Sequence, residues 1–236
     1  MSKELLALQG EIRAKEDKKK AALLQRFFKT GKGEYAEGDV FLGIIVPASR
    51  KIAKGYYALS CADTEELLRS RIHEERFIAL LILMERFRKG AEVERKKVYA
   101  LYMKNKSSVN NWDLVDMSAP HIVGGYLCDK DRSELYALAG SKTLWDRRIA
   151  IMATLFFIRQ GEFGDTLRLA DMLMSDTHDL MHKAVGWMLR EVGNKDMSAE
   201  KDFLKTRYKK MPRTMLRYAI EKFPERERKA YLRGDA

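Results

Sequence analysis

Apolar side chains recur every three or four residues along nearly the whole chain, a spacing typical of amphipathic helices. Leu5, Leu8 and Ile12 form the first such stripe. No stretch alternates between apolar and polar residues for long enough to predict a strand. Only four prolines interrupt the 236 residues, which also favours helix. The pattern therefore predicts an all-α chain.

The ends of these helices are predicted from capping residues, glycines and prolines. Thr143, followed three residues later by Asp146, predicts a capping box at the start of one of them. The predicted helices cover residues 3–28 (as one helix or two), 47–59, a short segment from 63, 72–88, 92–104, 112 to about 125, 132–138, 143–160, 165–174, 178–193, 198–210, 212–223 and a last basic segment from 224.

Three of the predicted helices share a pattern that indicates an internal repeat. Arg76, Arg147 and Lys183 each begin a basic-x-x-small motif that leads into an apolar run. Their spacings of 71 and 36 residues correspond to two repeats and one. Helix pairs repeated every ~35–47 residues are typical of HEAT-like and armadillo-like α-solenoids. We therefore expect a curved array of helix pairs, whose second helices line a concave face.

We expect one HEAT-like repeat domain over residues 1–236. It would begin with N-terminal helices and a glycine-rich loop over residues 1–40, continue as helical repeats over 41–223 and end in a basic tail over 224–236. The loop contains glycines and a lysine, but it lacks the spacing of a P-loop and is interpreted as a connector. Tyr35, in this loop, is a candidate binding residue.

The net charge of +11 is concentrated at the two ends of the chain. Residues 1–32 carry nine basic and four acidic side chains, and residues 201–236 carry twelve and five. Basic ends around a nearly neutral middle suit a protein that grips a polyanion on either side of a central site. The same excess would also suit ordinary solvated helix faces.

Features of secreted and membrane proteins are missing from the sequence. The longest apolar runs, 77–84 and 149–158, are too short to span a bilayer, and no apolar signal segment follows Met1. The two cysteines have no C-x-x-C spacing and are expected to be reduced thiols. We therefore expect a cytoplasmic protein that does not bind membranes. Nothing in the sequence indicates more than a monomer.

The stretch of residues 111–118 combines a large aromatic residue with an acid. A helix capped by Asn110 or Asn111 places Trp112 and Asp116 four residues apart on one face. Pro120 removes the helical hydrogen bond to the carbonyl of Asp116, so we expect the helix to bend or restart at that carboxylate. An isolated pair of this kind is more often a packing residue beside a solvated charge.

A second tryptophan lies away from the apolar stripe of its helix. At about 100° per residue, Trp187 points off the stripe and is flanked by Lys183 and Arg190, which favours a binding surface. Arg148 follows the start of its helix, where free N–H groups favour an anion. It is interpreted as a phosphate ligand or as half of a structural ion pair. If each repeat presents its second helix to one face, these residues join Trp112 on one concave surface.

Four blocks of the sequence resemble the AlkD-type DNA alkylation repair glycosylases, in order and at matching intervals. They are residues 41–44 (FLGI), 112–116 (WDLVD), 144–148 (LWDRR) and 183–191 (KAVGWMLRE). The resemblance implies a HEAT-like solenoid that holds double-stranded DNA in its concave face. It also implies hydrolysis of the N-glycosidic bond of cationic alkylpurines, typically N3-alkyladenine and N7-alkylguanine, without flipping the base.

The resemblance also implies roles for particular residues. Asp116 would stabilise an oxocarbenium-like sugar and position a water molecule, because one ionised carboxylate suffices when the leaving base is already cationic. Trp112 and Trp187 would flank the deoxyribose with their electron-rich faces. Arg148 would hold a backbone phosphate. The further DNA contacts that we expect are those of Lys183, Arg190 and Tyr35.

A second hypothesis is a non-catalytic HEAT-repeat module that binds DNA or protein, since solenoids often serve as scaffolds. Asp116 between two tryptophans favours the enzyme, because a scaffold has no need of it. The lysines would allow a Schiff-base mechanism, but nothing singles one out.

Two histidines are the one feature that suggests a metal. His178 and His182 lie four residues apart on a predicted helix, but no third ligand is evident. We interpret them as surface or N-terminal-turn residues and expect neither a metal nor a cofactor.

Overall fold

A computed structural model describes residues 2–236. Within this range the chain is helical, and its only β pairing is a single bridge between Val40 and Ile72. The chain divides into two compact units, Met1–Ser118 and Ala119–Ala236. The predicted fold class, an all-α chain of the solenoid type built from helix pairs, is confirmed. The expectation of a single domain with the boundaries given above stays a prediction.

The first unit is built around one long buried helix. Its helices are α1 (Lys3–Arg13), α2 (Lys18–Phe27), α3 (Val46–Gly55), α4 (Cys61–Leu68), α5 (His73–Lys89), α6 (Glu92–Lys104) and α7 (Trp112–Ala119), with a 3-10 turn at Lys106–Ser108. Helices α1, α3, α4 and α6 all pack against α5. Residues 73–83 of α5 are all buried, so this helix is the core of the unit.

The second unit has two central helices. It contains a π-helical segment at Pro120–Gly124, then α8 (Gly125–Leu127), α9 (Ser133–Ala139), α10 (Leu144–Ala153), α11 (Leu155–Arg159), α12 (Gly164–Leu173), α13 (Asp179–Lys195), α14 (Met197–Lys205), α15 (Arg213–Ala219), a 3-10 turn at Ile220–Lys222 and α16 (Glu225–Arg233). Helix α10 packs against α9, α12 and α13, and α13 packs against α14 and α15. Helices α5, α10 and α13 are the three that the repeated basic-x-x-small motif singled out.

The predicted disturbance at Pro120 is present, but it begins after the carboxylate. Helix α7 continues through Asp116 to Ala119, and the backbone then takes the wider π turn from Pro120 onward. Proline has no N–H to donate to the carbonyl of Asp116, and a π turn accommodates that lost bond.

Two predictions for the start and length of α10 are wrong. Thr143 precedes the helix, but its side chain makes no capping hydrogen bond, so the capping box does not form. Ser141 donates from its hydroxyl to Asp146 instead, at 2.9 Å. The helix predicted as continuous over residues 143–160 is interrupted at Thr154, whose hydroxyl donates to the carbonyl of Ile151 at 2.7 Å, and it resumes as α11 over Leu155–Arg159. Local side-chain hydrogen bonds of this kind compete with the helical ladder.

A buried carboxyl group lies between the last helices of the second unit. Glu200 on α14 is 1% exposed, and one of its oxygens has no hydrogen-bond partner. Gly193 on α13 leaves room for it, since a side chain there would overlap the carboxyl. Burial raises the pKa of Glu200 to about 8, although the charge of Arg190 acts in the opposite direction. The carboxyl is therefore protonated in the folded protein at neutral pH.

Replacing Glu200 by glutamine is expected to stabilise the protein at alkaline pH. The folded-state pKa lies above the ordinary value of 4.5, so the favourable contribution of Glu200 is complete below that value and is lost as the pH rises through about 8. Glutamine has the same shape and does not ionise. The free energy of unfolding of Glu200→Gln should be close to that of wild type near about pH 4.5 and should exceed it by about 4 kcal/mol near about pH 9.

Urea unfolding at the two pH values measures this difference. Glu134→Gln, at an exposed position of α9, is the matched control and should follow wild type at both. A stability difference for Glu200→Gln that is the same at both pH values would contradict the assignment.

Candidate active site

The first turn of α7 is capped as the sequence predicts, at Asn111. The carbonyl of Asn111 accepts the first helical hydrogen bond from Val115 at 3.0 Å, and its side-chain oxygen accepts from the N–H of Trp112 at 2.8 Å. Leu114, on the core side, is fully buried. Trp112 and Asp116 are both half-buried and share the opposite face. The predicted arrangement of these two residues on one helix face is confirmed.

Asp116 lies within electrostatic reach of a buried tyrosine. Tyr102 on α6 is fully buried, and its hydroxyl lies 3.1 Å from that of Ser118. Burial raises the pKa of Tyr102 well above its ordinary value, and the negative charge of Asp116 raises it further. The phenol therefore stays protonated beside this carboxylate at any pH at which the protein would act.

The indole of Trp112 ends a stack of four rings, which we call the aromatic stack. Phe28 lies 5.2 Å from Trp112 with the ring planes 21° apart, and 4.9 Å from Phe41. Phe41 in turn stacks on the imidazole of His73 at 4.3 Å. Phe27 meets Trp112 edge-on at 6.1 Å. Stacked rings of this kind restrict each other's rotation, so the indole has a defined orientation.

The imidazole at the far end of the stack lies between two carboxylates. Its Nε2 is 2.8 Å from Asp113 and its Nδ1 is 3.3 Å from Asp39. Arg76 also donates to Asp39, at 2.6 Å. Burial disfavours the charged imidazole, but the two carboxylates outweigh this and raise the pKa of His73 above its ordinary value. Burial also disfavours the charged form of Asp39, which would raise its pKa. Interactions with His73 and Arg76 outweigh burial and lower the pKa of that carboxyl.

The loop that carries Phe41 is held by another carboxylate. Glu74, 3% exposed, accepts hydrogen bonds from the backbone N–H groups of Leu42, Gly43 and Ile44 at 3.0, 2.8 and 3.1 Å. Gly43 has a φ of +85°, and a side chain there would overlap the backbone at the start of α2. This explains the glycine of the FLGI block. The loop is pinned against α2 and α5, which fixes one wall of the site.

A cavity of about 280 Å³ opens beside the aromatic stack. Its wall includes Phe27, Phe28, Phe77, His73 and Asp113. Its rim is apolar, because Phe27 is 63% exposed and the neighbouring Ile45 is 52% exposed. The first unit thus contains an apolar cavity whose wall includes the carboxylate of Asp113 and the imidazole of His73.

The residues predicted in the second unit lie on α10 and α13. Arg148 is only 4% exposed, and its guanidinium donates to the carbonyl of Leu180, at the start of α13, at 2.5 Å. Trp187 is half-buried, and its indole N–H donates to Glu191 at 2.9 Å. Gly186 brings α13 close to α15, since a side chain there would overlap the backbone carbonyl of Met215. These contacts hold the helix that carries Trp187.

The apolar stripe predicted for α13 is confirmed. The four residues of the stripe are all fully buried, and they are Met181, Val185, Met188 and Val192. Lys183 and Arg190, predicted to flank Trp187 as DNA contacts, each pair with an acid in this structure. Lys183 lies 2.7 Å from Asp179, and Arg190 donates to Glu221. Their roles at DNA stay predictions.

The glycine-rich loop uses its acids to fold on itself. The N–H of Gly31 donates to Glu34 and that of Gly33 to Glu37, both at 2.8 Å. Carboxylates therefore occupy the positions that a phosphate would need, in agreement with the connector interpretation. Tyr35 is half-buried in this loop, and its contact with DNA stays a prediction.

Among residues 2–236 no three or more histidine, cysteine or acidic side chains form a group that could hold a metal ion. His178 precedes α13 and accepts a capping bond from the N–H of Leu180, and His182 bonds to the carbonyl of Asp176. Nor does the described part of the chain contain a helix long and apolar enough to cross a membrane.

Sequence reasoning missed the charged groups of the first unit. His73 lies 34 residues from Asp39 and 40 from Asp113, and no motif links them. The only signal was the acid beside Trp112. The convergence of Trp112 and Asp116 with Arg148 and Trp187 stays a prediction, because the two pairs belong to different compact units.

The structure thus defines an all-α protein of helix pairs with a candidate site of aromatic and acidic side chains. Residues 8–223 match the family described as DNA alkylation repair enzyme. This match covers most of the chain, which therefore belongs to the family of DNA alkylation repair enzymes.

A solved structure gives the same fold. It is a predicted DNA alkylation repair enzyme from Enterococcus faecalis, similar at a TM-score of 0.68 and 15% identity over 89% of this chain and 97% of that one. A likeness at this identity supports the fold alone. Comparison with curated proteins finds no match.

Proposed function

We propose that this member of the family is a monofunctional glycosylase of the AlkD type. It would hydrolyse the N-glycosidic bond of cationic alkylpurines, such as N3-alkyladenine and N7-alkylguanine, in double-stranded DNA. The observation that carries the proposal is the face of α7 that presents Trp112 and Asp116 away from the core, in a chain of the DNA alkylation repair family. The AlkD-type motifs quoted above support it.

The chemistry needs few protein groups. Alkylation leaves a positive charge on the purine, so the bond from the base to C1′ can break with both electrons moving to the ring and neutralising it. Water then adds to C1′ and gives up a proton. An ionised Asp116 would stabilise the positive charge that develops on the sugar and orient that water. A neutral base would be released and an abasic site would remain.

The other residues would bind and shield the sugar and the DNA backbone. The face of Trp112, held by the aromatic stack, would lie against the electron-poor sugar and exclude bulk water. From the sequence, we assign the same role to Trp187. We also assign contacts with DNA phosphates to Arg148, Lys183, Arg190 and Tyr35. In this scheme the base is not extruded, unlike the usual requirement for enzymes that act on bases.

One observation favours the non-catalytic module as a second candidate. Arg148 is buried against the carbonyl of Leu180, and Lys183 and Arg190 are paired with acids, so three predicted DNA contacts already have protein partners. A non-catalytic scaffold would need only these contacts within the protein. DNA binding by the enzyme would instead require that at least some of these partners be exchanged for phosphates.

Free-base release separates the two candidates. A duplex with a single N7-methylguanine is incubated with the protein, and the released base is measured by chromatography. The proposal expects free N7-methylguanine, an intact strand with an abasic site, and no covalent adduct when borohydride is added. An unmodified duplex should release nothing. Binding of both duplexes without release of base would support the non-catalytic module. A borohydride-trapped adduct would indicate a lysine Schiff base.

A further inference from the structure

The charged groups around His73 form a chain that links α5 to α7. Both ring nitrogens of His73 face carboxylate oxygens, of Asp39 on one side and Asp113 on the other. A neutral imidazole has one N–H and can donate to only one of them, whereas an ionised carboxylate accepts but never donates. Two hydrogen bonds to two carboxylates therefore require the imidazolium, which makes both bonds charge-assisted.

The surroundings hold this imidazolium in place. Facing it are Asp113 from α7, Asp39 from the loop before α3 and, along its own helix, Arg76, which shares the Asp39 oxygen. Glu74, the next residue, is directed at the backbone of residues 42–44. Phe28 and Phe41 cover the ring and exclude water. His73 itself is 3% exposed.

Asp113 connects His73 to the candidate site. One of its oxygens accepts from His73, and the other accepts from the N–H of Leu114 in the first turn of α7. Asp113 lies directly after Trp112 and three residues before Asp116, so the position of its carboxylate sets the rotation of α7 about its axis. The ring of His73 supports the indole through the same aromatic stack.

We propose that His73 is a positioning residue that, as an imidazolium bridging Asp39 and Asp113, fixes the first turn of α7 and so the orientation of Trp112 and Asp116. Its effect on base release rests on the proposed function, but the bridge itself does not.

The bridge is expected to fail at alkaline pH. The pKa of His73 is raised in the folded protein above its ordinary value of 6.5, so its contribution is complete below that value and is lost as the pH rises through the folded value. Loss of the proton leaves one of the two carboxylates facing a ring lone pair. The first turn of α7 then loses one of its anchors.

Nitrogen-15 NMR of the histidine rings tests the bridge without any activity. The chain has four histidines, and the His73 signals are those missing in His73→Gln. We expect both ring nitrogens to be protonated at neutral pH, with a titration midpoint above the ordinary histidine value. Asp113→Asn should lower that midpoint, whereas Asp202→Asn, at an exposed position of α14, should not. A neutral single tautomer of His73 at neutral pH in the wild type would overturn the proposal, even if Asp113→Asn did not fold.

The pH profile of base release tests the consequence. For wild type, the single-turnover rate should fall as the pH rises through the His73 midpoint. The His73→Gln variant should be slower by about ten- to hundredfold at neutral pH, because a misplaced catalytic turn loses rate rather than affinity. Its rate should also lack the alkaline limb, that is, the fall in rate as the pH rises through the His73 midpoint. Its affinity for the duplex should be unchanged. The exposed His121→Gln is the control and should keep the wild-type profile.

The two measurements separate the two proposals. If no variant releases base but both ring nitrogens of His73 are protonated, the glycosylase assignment fails and the bridge stands. If base is released and His73→Gln keeps the wild-type alkaline limb, His73 is only a packing residue and the positioning role is wrong.

Discussion

Replacement of Asp116 by asparagine is expected to slow base release severely while leaving DNA binding intact. Asparagine has nearly the same shape, so α7 and its neighbours should fold as before, but the amide carries no negative charge. Without that charge the developing positive sugar loses its main electrostatic partner, and the rate should fall by at least about a hundredfold. Affinity for the duplex should stay level or increase, since a negative charge is removed from the region that faces phosphates.

Single-turnover release of N7-methylguanine and binding to the same duplex, measured on the same preparation, check both halves of this expectation. Asp202→Asn is the matched control, because it removes the same charge from an exposed helix position. Release by Asp116→Asn at the rate of this control would show that the carboxylate has no part in the reaction. A fall in rate that merely follows a loss of binding would indicate a role in DNA contact instead.

Replacement of Glu74 by alanine is expected to produce the largest loss of stability among the site residues. Three buried backbone N–H groups, of Leu42, Gly43 and Ile44, lose their acceptor together. A buried donor without a partner is costly, and we expect the free energy of unfolding to fall by about 3–4 kcal/mol. The loop that carries Phe41 should loosen, and with it the aromatic stack that holds Trp112.

Urea unfolding measures the loss, and hydrogen exchange at residues 42–44 locates it. Exchange there should accelerate more than in the core of α5. Glu66→Ala, at an exposed position of α4, is the control and should change stability by less than about 0.5 kcal/mol. Equal stability of the two variants, or unchanged exchange in the loop, would show that Glu74 does not hold this backbone.

Local sequence patterns were enough for the helical features of the candidate site. The Asn111 cap, the shared face of Trp112 and Asp116, and the buried stripe of α13 all depend on neighbours within four residues. Such short-range relations follow directly from the geometry of the α-helix. The wrong expectations at α10 were also local, because Ser141 and Thr154 offered hydrogen bonds that competed with the predicted ones.

The sequence by itself determined an all-α fold of repeated helix pairs and the concentration of positive charge at the two ends of the chain. It also carried the family resemblance that points to alkylated DNA. Only the tertiary structure decided that His73 lies between Asp39 and Asp113, that Glu74 binds the backbone of residues 42–44, and that Arg148 is buried against α13. Those partners are about thirty to forty residues apart, and nothing in local periodicity brings them together. Their pairing follows from how whole helices pack, because a buried charge or N–H group must find its partner wherever the fold places one.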